Sequence, residues 1–159
     1  MYKKYGTYSL NINLDTPNMQ SVIDSNTFST PINHYFYFQV NTYITKIDKG
    51  YIILGEIYNS ERNAFVLSGL SGIYPPTPSN SKTWLRYSAL SKNVSKYNSS
   101  IYRIGIFSES SSISGVGNVY FDGIIFVDLT ATFGSGNEPD KDWCDKHIQY
   151  FDGTTTIYK

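Results

Sequence analysis

The sequence predicts an all-β protein, an antiparallel jelly-roll-like β-sandwich with a short C-terminal helix. Three observations carry this. Apolar residues alternate with polar ones in run after run, clusters of Gly, Pro, Ser and Asn separate the runs, and no helical periodicity occurs before about residue 137. The 159 residues suit one folding unit with a real core. Within it, residues 1–130 read as the sandwich, and 131–159 as a glycine turn, short helix and tail packed on it.

The elements follow in order. Residues 7–13 alternate, with Tyr8, Leu10 and Ile12 on one face and Ser9, Asn11 and Asn13 on the other. Met19 to Ile23 is the next segment able to pair. Residues 34–44 give the strongest strand signal. Period-2 alternation assigns Phe36, Phe38, Val40 and Ile44 to a core, and Tyr35, Tyr37, Gln39, Asn41 and Tyr43 to a partly wet surface. Residues 50–58 and 64–68 continue the pattern. Residues 69–81, with Pro75, Pro76 and Pro78, read as a loop because proline cannot donate to a ladder. Residues 83–89 resume as a strand, and Ser91 to Ser100 is turn-like. Residues 101–107 direct Tyr102, Ile104 and Ile106 inward and Arg103 outward. Ser108 to Gly117 reads as a Ser/Gly loop and 118–129 as the last long strand. Its run Ile124-Ile125-Phe126-Val127 predicts a central strand covered on both faces.

Composition narrows the function. Thirteen basic residues balance thirteen acidic ones, and charged residues make up only 16% of the chain. Nucleic-acid binding by a basic surface is not expected from such a balance. No run of about 18 apolar residues occurs, so no membrane-spanning helix is expected. No apolar stretch follows Met1-Tyr2-Lys3-Lys4, so no signal peptide is expected. A single cysteine, Cys144, rules out an internal disulfide or a multi-cysteine metal site. Its acidic neighbours Asp142 and Asp145 disfavour a reactive thiolate. His34 and His147 lie in no metal-ligand motif, and neither a nucleophile elbow nor a phosphate loop is found. Glu56 and Asp122 are the carboxylates whose strand positions would suit a glycosidase pair if they faced each other. Asn93-Val94-Ser95 and Asn98-Ser99-Ser100 match glycosylation sequons. No enzyme is predicted.

The C-terminal third is the most distinctive stretch: V-D-L-T-A-T-F-G-S-G-N-E-P from Val127, then W-C-D from Trp143 and Y-F-D-G-T from Tyr150. Phe133-Gly134-Ser135-Gly136 reads as a tight turn, with Asn137 as helix N-cap and Pro139 in the first turn. Trp143, His147 and Phe151 recur at i, i+4 and i+8 as the stripe that would lay the helix on the sandwich.

This ending resembles one found in phage tail and prophage proteins, where it closes a carbohydrate-binding-module-like sandwich of the galactose-binding type. The resemblance spans residues 6 to 159. It implies a non-catalytic module of a phage virion, made in the bacterial cytoplasm and displayed on the tail for host attachment. The implied partners are a host cell-wall or capsular polysaccharide and other phage tail proteins. A structural tail, fibre or baseplate component, or a homo-oligomer, is the rival expectation. The chain reads either as the C-terminal domain of a longer tail protein or as a minimal stand-alone version. Trp84 falls on a family position where the ring mainly packs. No cofactor is expected beyond a structural calcium that the resemblance would place near Asp122. The carboxylate that usually partners it has no counterpart among Met1 to Tyr5.

The outward face of 34–44 is the candidate ligand site. Sugars offer apolar C–H faces to aromatic rings and hydroxyls to polar groups at the ring edge. Tyr35, Tyr37, Tyr43, Gln39 and Asn41 supply both, and Arg103 would add a hydrogen-bonding fork. The same residue types also build protein interfaces, so glycan and protein contact both stand for this face.

Overall fold

The computed structural model describes residues 4–5, 8–15, 19–47, 51–70, 83–107 and 117–149. Of the expected loops 69–81 and 108–117, residues 69, 70 and 117 belong to strands, and the rest, with Phe151 of the helical stripe, lies outside the described residues. The strands are β1 (Leu10–Leu14), β2 (Gln20–Asp24), β3 (Phe28–Ser29), β4 (Tyr35–Ile47), β5 (Tyr51–Asn59), β6 (Phe65–Leu70), β7 (Trp84–Lys92), β8 (Ser99–Phe107) and β9 (Gly117–Asp128). Two short helices follow, α1 (Leu129–Phe133) and α2 (Lys141–His147). One sheet has the order β1-β9-β4-β7, and the other β2-β8-β5-β6 with β3 beside β8. Every pairing is antiparallel. This is the predicted antiparallel sandwich.

The core lies between the sheets, on the faces that alternation assigned to it. Phe36, Phe38, Val40 and Ile44 of β4 meet Ile52, Leu54 and Ile57 of β5 and Ile104 and Ile106 of β8, all buried. Phe126 joins from β9, with ring centroids 5.2 Å from Phe36, 4.9 Å from Phe38 and 4.7 Å from Phe28. Such offset and edge-on pairs add to the area they bury.

Phe126 reaches this core because β9 changes faces at a bulge. Gln39 pairs with Ile125, but Asn41 pairs with Asp122, so three steps on β9 match two on β4. Gly123 takes up the extra residue at φ +57°. Before the bulge, Val119 and Phe121 point inward; after it, Phe126 points inward and Val127 outward into a second apolar cluster. The run 124–127 is therefore apolar for both faces, as expected. β9 is an internal strand, between β1 and β4, although beyond Phe121 it pairs with β4 alone among the described residues.

Two local expectations are corrected. A helix does occur before residue 137, because Asp128 caps α1 by accepting from Ala131 N at 2.9 Å. Asn137 does not cap α2. Its N–H closes the turn onto Gly134 O, and Asp140 is the cap, accepting from Trp143 N at 2.7 Å. The helix packs through Cys144 and Ile148, not through Trp143 and His147, which stack on each other at the surface with centroids 4.3 Å apart.

Gly123 yields the first prediction. A Cβ there would sit 2.7 Å from Asn41 Nδ2 and 2.8 Å from the Tyr5 ring, on a backbone that favours glycine. Gly123→Ala should lower unfolding stability by about 1–2 kcal/mol or more. A denaturation midpoint unchanged from the parent would show that the bulge does not need glycine.

Candidate functional site

The outer face of the β1-β9-β4-β7 sheet divides into three zones along β4. At its first end the face is closed. Tyr37 and Leu129 are fully buried with Cys144, and Tyr35, Leu90, Val127 and Ile148 pack around them. The C-terminal helices form this lid, and the motif residues hold it. Thr130 Oγ1 accepts from Tyr35 N at 2.9 Å and donates to Glu138 Oε1 at 2.6 Å. Glu138 Oε2 accepts from Gly136 N at 2.8 Å. His34 Nδ1 stands 2.8 Å from Asp128 Oδ2.

Asp145 pins α2 to the sheet. Its Oδ1 accepts from Tyr37 Oη at 2.8 Å and Ser88 Oγ at 2.6 Å, and Lys141 Nζ lies 2.6 Å from its Oδ2. Arg86 donates to Tyr37 Oη at 3.0 Å. Burial pushes the Asp145 carboxyl up, but the hydrogen bonds from Lys141, Ser88 and Tyr37 overcome this and hold it below the usual carboxylate range. Burial, reinforced by Asp145, raises the Tyr37 hydroxyl. Burial first, then the charges of Asp145 and Asp140, raise the Cys144 thiol, which fits a packed residue.

The middle zone is closed by the N-terminal segment. Asp122 Oδ2 accepts from Lys4 N at 2.8 Å and Tyr5 N at 2.9 Å, and its Oδ1 accepts from Gly123 N at 2.6 Å. The Tyr5 ring lies against Gly123, and Asn41 is buried beneath.

The far zone is partly exposed. Trp84, Tyr43 and Tyr120 face each other across β7, β4 and β9 in direct register, and all three are half-buried. The Tyr43 and Trp84 ring centroids are 5.7 Å apart. Adjacent strands lie about 4.8 Å apart, so the strip is roughly 10 Å wide. Asn11, opposite Tyr120, and Asn118 sit at one end of it, their side chains bonded at 2.8 Å. Arg86 lies beside it, two residue pairs along, opposite Asn41.

The predicted site residues are thus not brought together. Tyr37, Gln39 and Asn41 do point outward, but they are buried rather than partly wet, because the lid and the N-terminal segment cover them. Tyr35 is half-buried, with the Lys92 ammonium 5.3 Å from its ring centre. Arg103 belongs to the other sheet. It holds Asp24 in a two-point contact of 2.7 and 3.0 Å and lies 4.8 Å from the Tyr58 ring centre, so its fork is already occupied. Tyr43 alone of the set lies in the far zone. Trp84 and Tyr120 complete the strip, and only their alternation with Tyr43's partners signals them in the sequence.

The Asp122 donor set does not fit calcium. Its two carboxylate oxygens meet three backbone N–H groups, where a calcium ion needs oxygen ligands. Among the described residues no three His, Cys, Asp or Glu side chains cluster to hold a metal. Glu56 and Asp122 belong to opposite sheets, Glu56 accepting from Tyr58 Oη at 3.2 Å. Both point away from the core, so they cannot flank one glycosidic bond at about 5–9.5 Å. Asn93 of the first sequon is buried, donating to Thr30 O at 2.6 Å and Tyr97 O at 2.8 Å.

No protein-family model and no curated protein matches the chain. Among solved structures, one described as "Family 16 Carbohydrate Binding Module-2" is similar in fold, with a TM-score of 0.44 at 10% identity. The match covers 77% of this chain and 78% of that one.

Two predictions follow from the lid. Tyr37→Ala should cost about 3 kcal/mol or more of stability, and should expose Cys144 to a thiol reagent in the native state. Retained stability with an unreactive Cys144 would mean the ring is not a lid contact. Asp145 has a depressed folded value, so its contribution is present above the unfolded carboxylate value and is lost as pH falls through the folded one. Asp145→Asn should therefore flatten that acid limb in a melting-temperature profile; an identical limb in parent and variant would remove Asp145 from this role.

Proposed function

We propose that the protein is a non-catalytic recognition module of a phage tail, binding a host cell-wall or capsular polysaccharide through Trp84, Tyr43 and Tyr120. The aromatic strip carries this reading. Its rings supply the apolar surface that a sugar ring stacks on, and Asn11, Asn118 and Arg86 supply hydrogen-bonding groups beside it. The C-terminal motif supports placement on a phage tail, and the reading needs no cofactor. Separation of Glu56 from Asp122 supports binding without turnover. Balanced charge gives no support to nucleic acid as partner.

A strip of this width stays wet and holds one or two sugar rings, so affinity per copy is weak and display in several copies supplies avidity. The rival reading is a structural tail component acting by protein contact or self-association. One observation favours it. Phe133, Trp143 and His147 form a surface ring cluster that the lid itself does not use, with Phe133 and Trp143 centroids 5.6 Å apart.

The test is saturable binding of the fluorescently labelled protein to host-type cells before and after wall polysaccharide is stripped. Stripping should abolish binding. The double variant Tyr43→Ala, Trp84→Ala should weaken it about tenfold or more, with the fold retained by circular dichroism. Cell binding that survives both stripping and the double variant would transfer the role to the structural reading.

A further inference from the structure

A second surface lies on the outside of the lid, on the side of α2 turned away from the sheet. Cys144 is buried against Tyr37, and Asp145 ties the helix down through Tyr37, Ser88 and Lys141. The opposite side carries Asp142, Trp143, Lys146 and His147, all exposed. Helical spacing sorts them into two adjacent rows, because residues four apart lie one above the other. Asp142 and Lys146 form a charged row, and Trp143 and His147 an aromatic one. The Trp143 and His147 rings stack with centroids 4.3 Å apart, and His147 Nδ1 donates to Trp143 O at 2.8 Å, which fixes the imidazole. Phe133 of α1 adjoins the aromatic row, its ring centroid 5.6 Å from that of Trp143 at an interplanar angle of 85°.

Two features of this face point to a partner. Phe133 and Trp143 are 38% and 39% exposed, and neither ring belongs to the apolar cluster under the lid. Asp142 and Lys146 are exposed and of opposite sign, yet stand in no hydrogen bond or ion pair among the described residues. The neighbouring Asp140, Lys141 and Asp145 are each bonded within the chain. His147 already covers one face of the Trp143 indole, which halves the flat surface left for a sugar ring.

We infer that this face of α2, with Phe133, is a contact between two copies of the chain, paired about a two-fold axis with their α2 helices antiparallel. Charge complementarity selects a second copy as the occupant. Such an axis lays like row on like row and reverses the residue order. Centred between Cys144 and Asp145, it sets Trp143 against the partner's His147 and Asp142 against the partner's Lys146. The same contacts recur on the other side of the axis, so both pairs of opposite charges are matched and none is left over. Parallel helices would instead set Asp142 against Asp142 and Lys146 against Lys146, which repel. Because α2 is already fixed to the sheet, little freedom is lost when two copies meet. So few side chains make a patch well below the roughly 800 Å² per partner of a standard interface, so pairing is weak, with a Kd on the order of 0.1–1 mM, and takes hold where copies are crowded. The inference is compatible with the glycan reading and does not rest on it, since this face shares no residue with the Trp84–Tyr43–Tyr120 strip.

The test is sedimentation velocity of the whole chain, with no glycan present, over a concentration series reaching about 1 mM. The sedimentation coefficient should rise with concentration toward that of a dimer, and less so in high salt. Trp143→Ala should weaken association about tenfold or more with the melting curve unchanged, since the ring lies outside the lid cluster. Asp142→Lys alone and Lys146→Asp alone should each weaken it as well, because like charges then face each other. A mixture of those two variants should associate again, because each supplies the charge the other lacks. Should Trp143→Ala melt early, the two charge variants, both at exposed positions, carry the test. A chain that stays monomeric throughout, association indifferent to Trp143, or a mixture of the charge variants that stays apart would overturn the assignment. A monomer that loses binding to host-type cells on Trp143→Ala would also overturn it, in favour of a ligand contact at the ring cluster.

Discussion

Tyr37 buries its ring on the side of β4 that faces away from the sandwich core, and its hydroxyl donates to Asp145 of α2. Much of the molecule's surface organisation depends on that contact. A strand buried on one face needs only alternation, but β4 here is buried on both, with Phe36 and Phe38 inward and Tyr37 outward. The outward burial requires a cover, and the segment after β9 provides it. Asp128 caps α1, Leu129 plugs the cluster, Thr130 ties Tyr35 to Glu138, and Asp145 clamps Tyr37, Ser88 and Lys141. The residues D-L-T and N-E-P of the motif thus fix a lid. Their chemistry is that of caps and braces.

The strongest charge contacts are likewise spent on architecture. Arg103 bonds Asp24 at two points, and Arg62 reaches the same carboxylate at 2.9 Å from the turn between β5 and β6. The hydrogen bond from Arg103 holds Asp24 below the usual carboxylate range against the opposing effect of burial. This network joins β2, β8 and the β5–β6 turn across one outer face, while Asp145 joins α2 to β4 and β7 across the other. Partly buried and multiply bonded carboxylates of this kind resist removal, because a lost partner leaves a desolvated charge. An arginine already held in such a fork has little left to offer a sugar hydroxyl.

The strands and their inward faces were legible because alternation is a local signal. Phe36, Phe38 and Val40 on β4, and Tyr102, Ile104 and Ile106 on β8, lie where period 2 puts them. The outward face was legible only as outward. Whether an outward tyrosine meets water depends on residues about a hundred positions away, such as Cys144 and Asp145 over Tyr37. No spacing rule encodes that contact. The helix stripe failed for a related reason: Trp143 and His147 have helical spacing, but so do Cys144 and Ile148, and it is Cys144 that is buried with Tyr37. Sheet membership was equally invisible, so Arg103 and Tyr43 looked combinable while lying on opposite sheets. Trp84 and Tyr120 became neighbours of Tyr43 only through register, which is a tertiary property.

The bulge at Gly123 links these surfaces. By inserting one residue it turns Phe126 into the core and Val127 into the lid cluster, so one strand serves two apolar layers. The same residue, lacking a Cβ, admits the Tyr5 ring beside Asn41, and Asp122 next to it secures the N-terminal backbone there. That diversion closes the middle of the outer face and leaves the strip at Tyr43 as its partly exposed part.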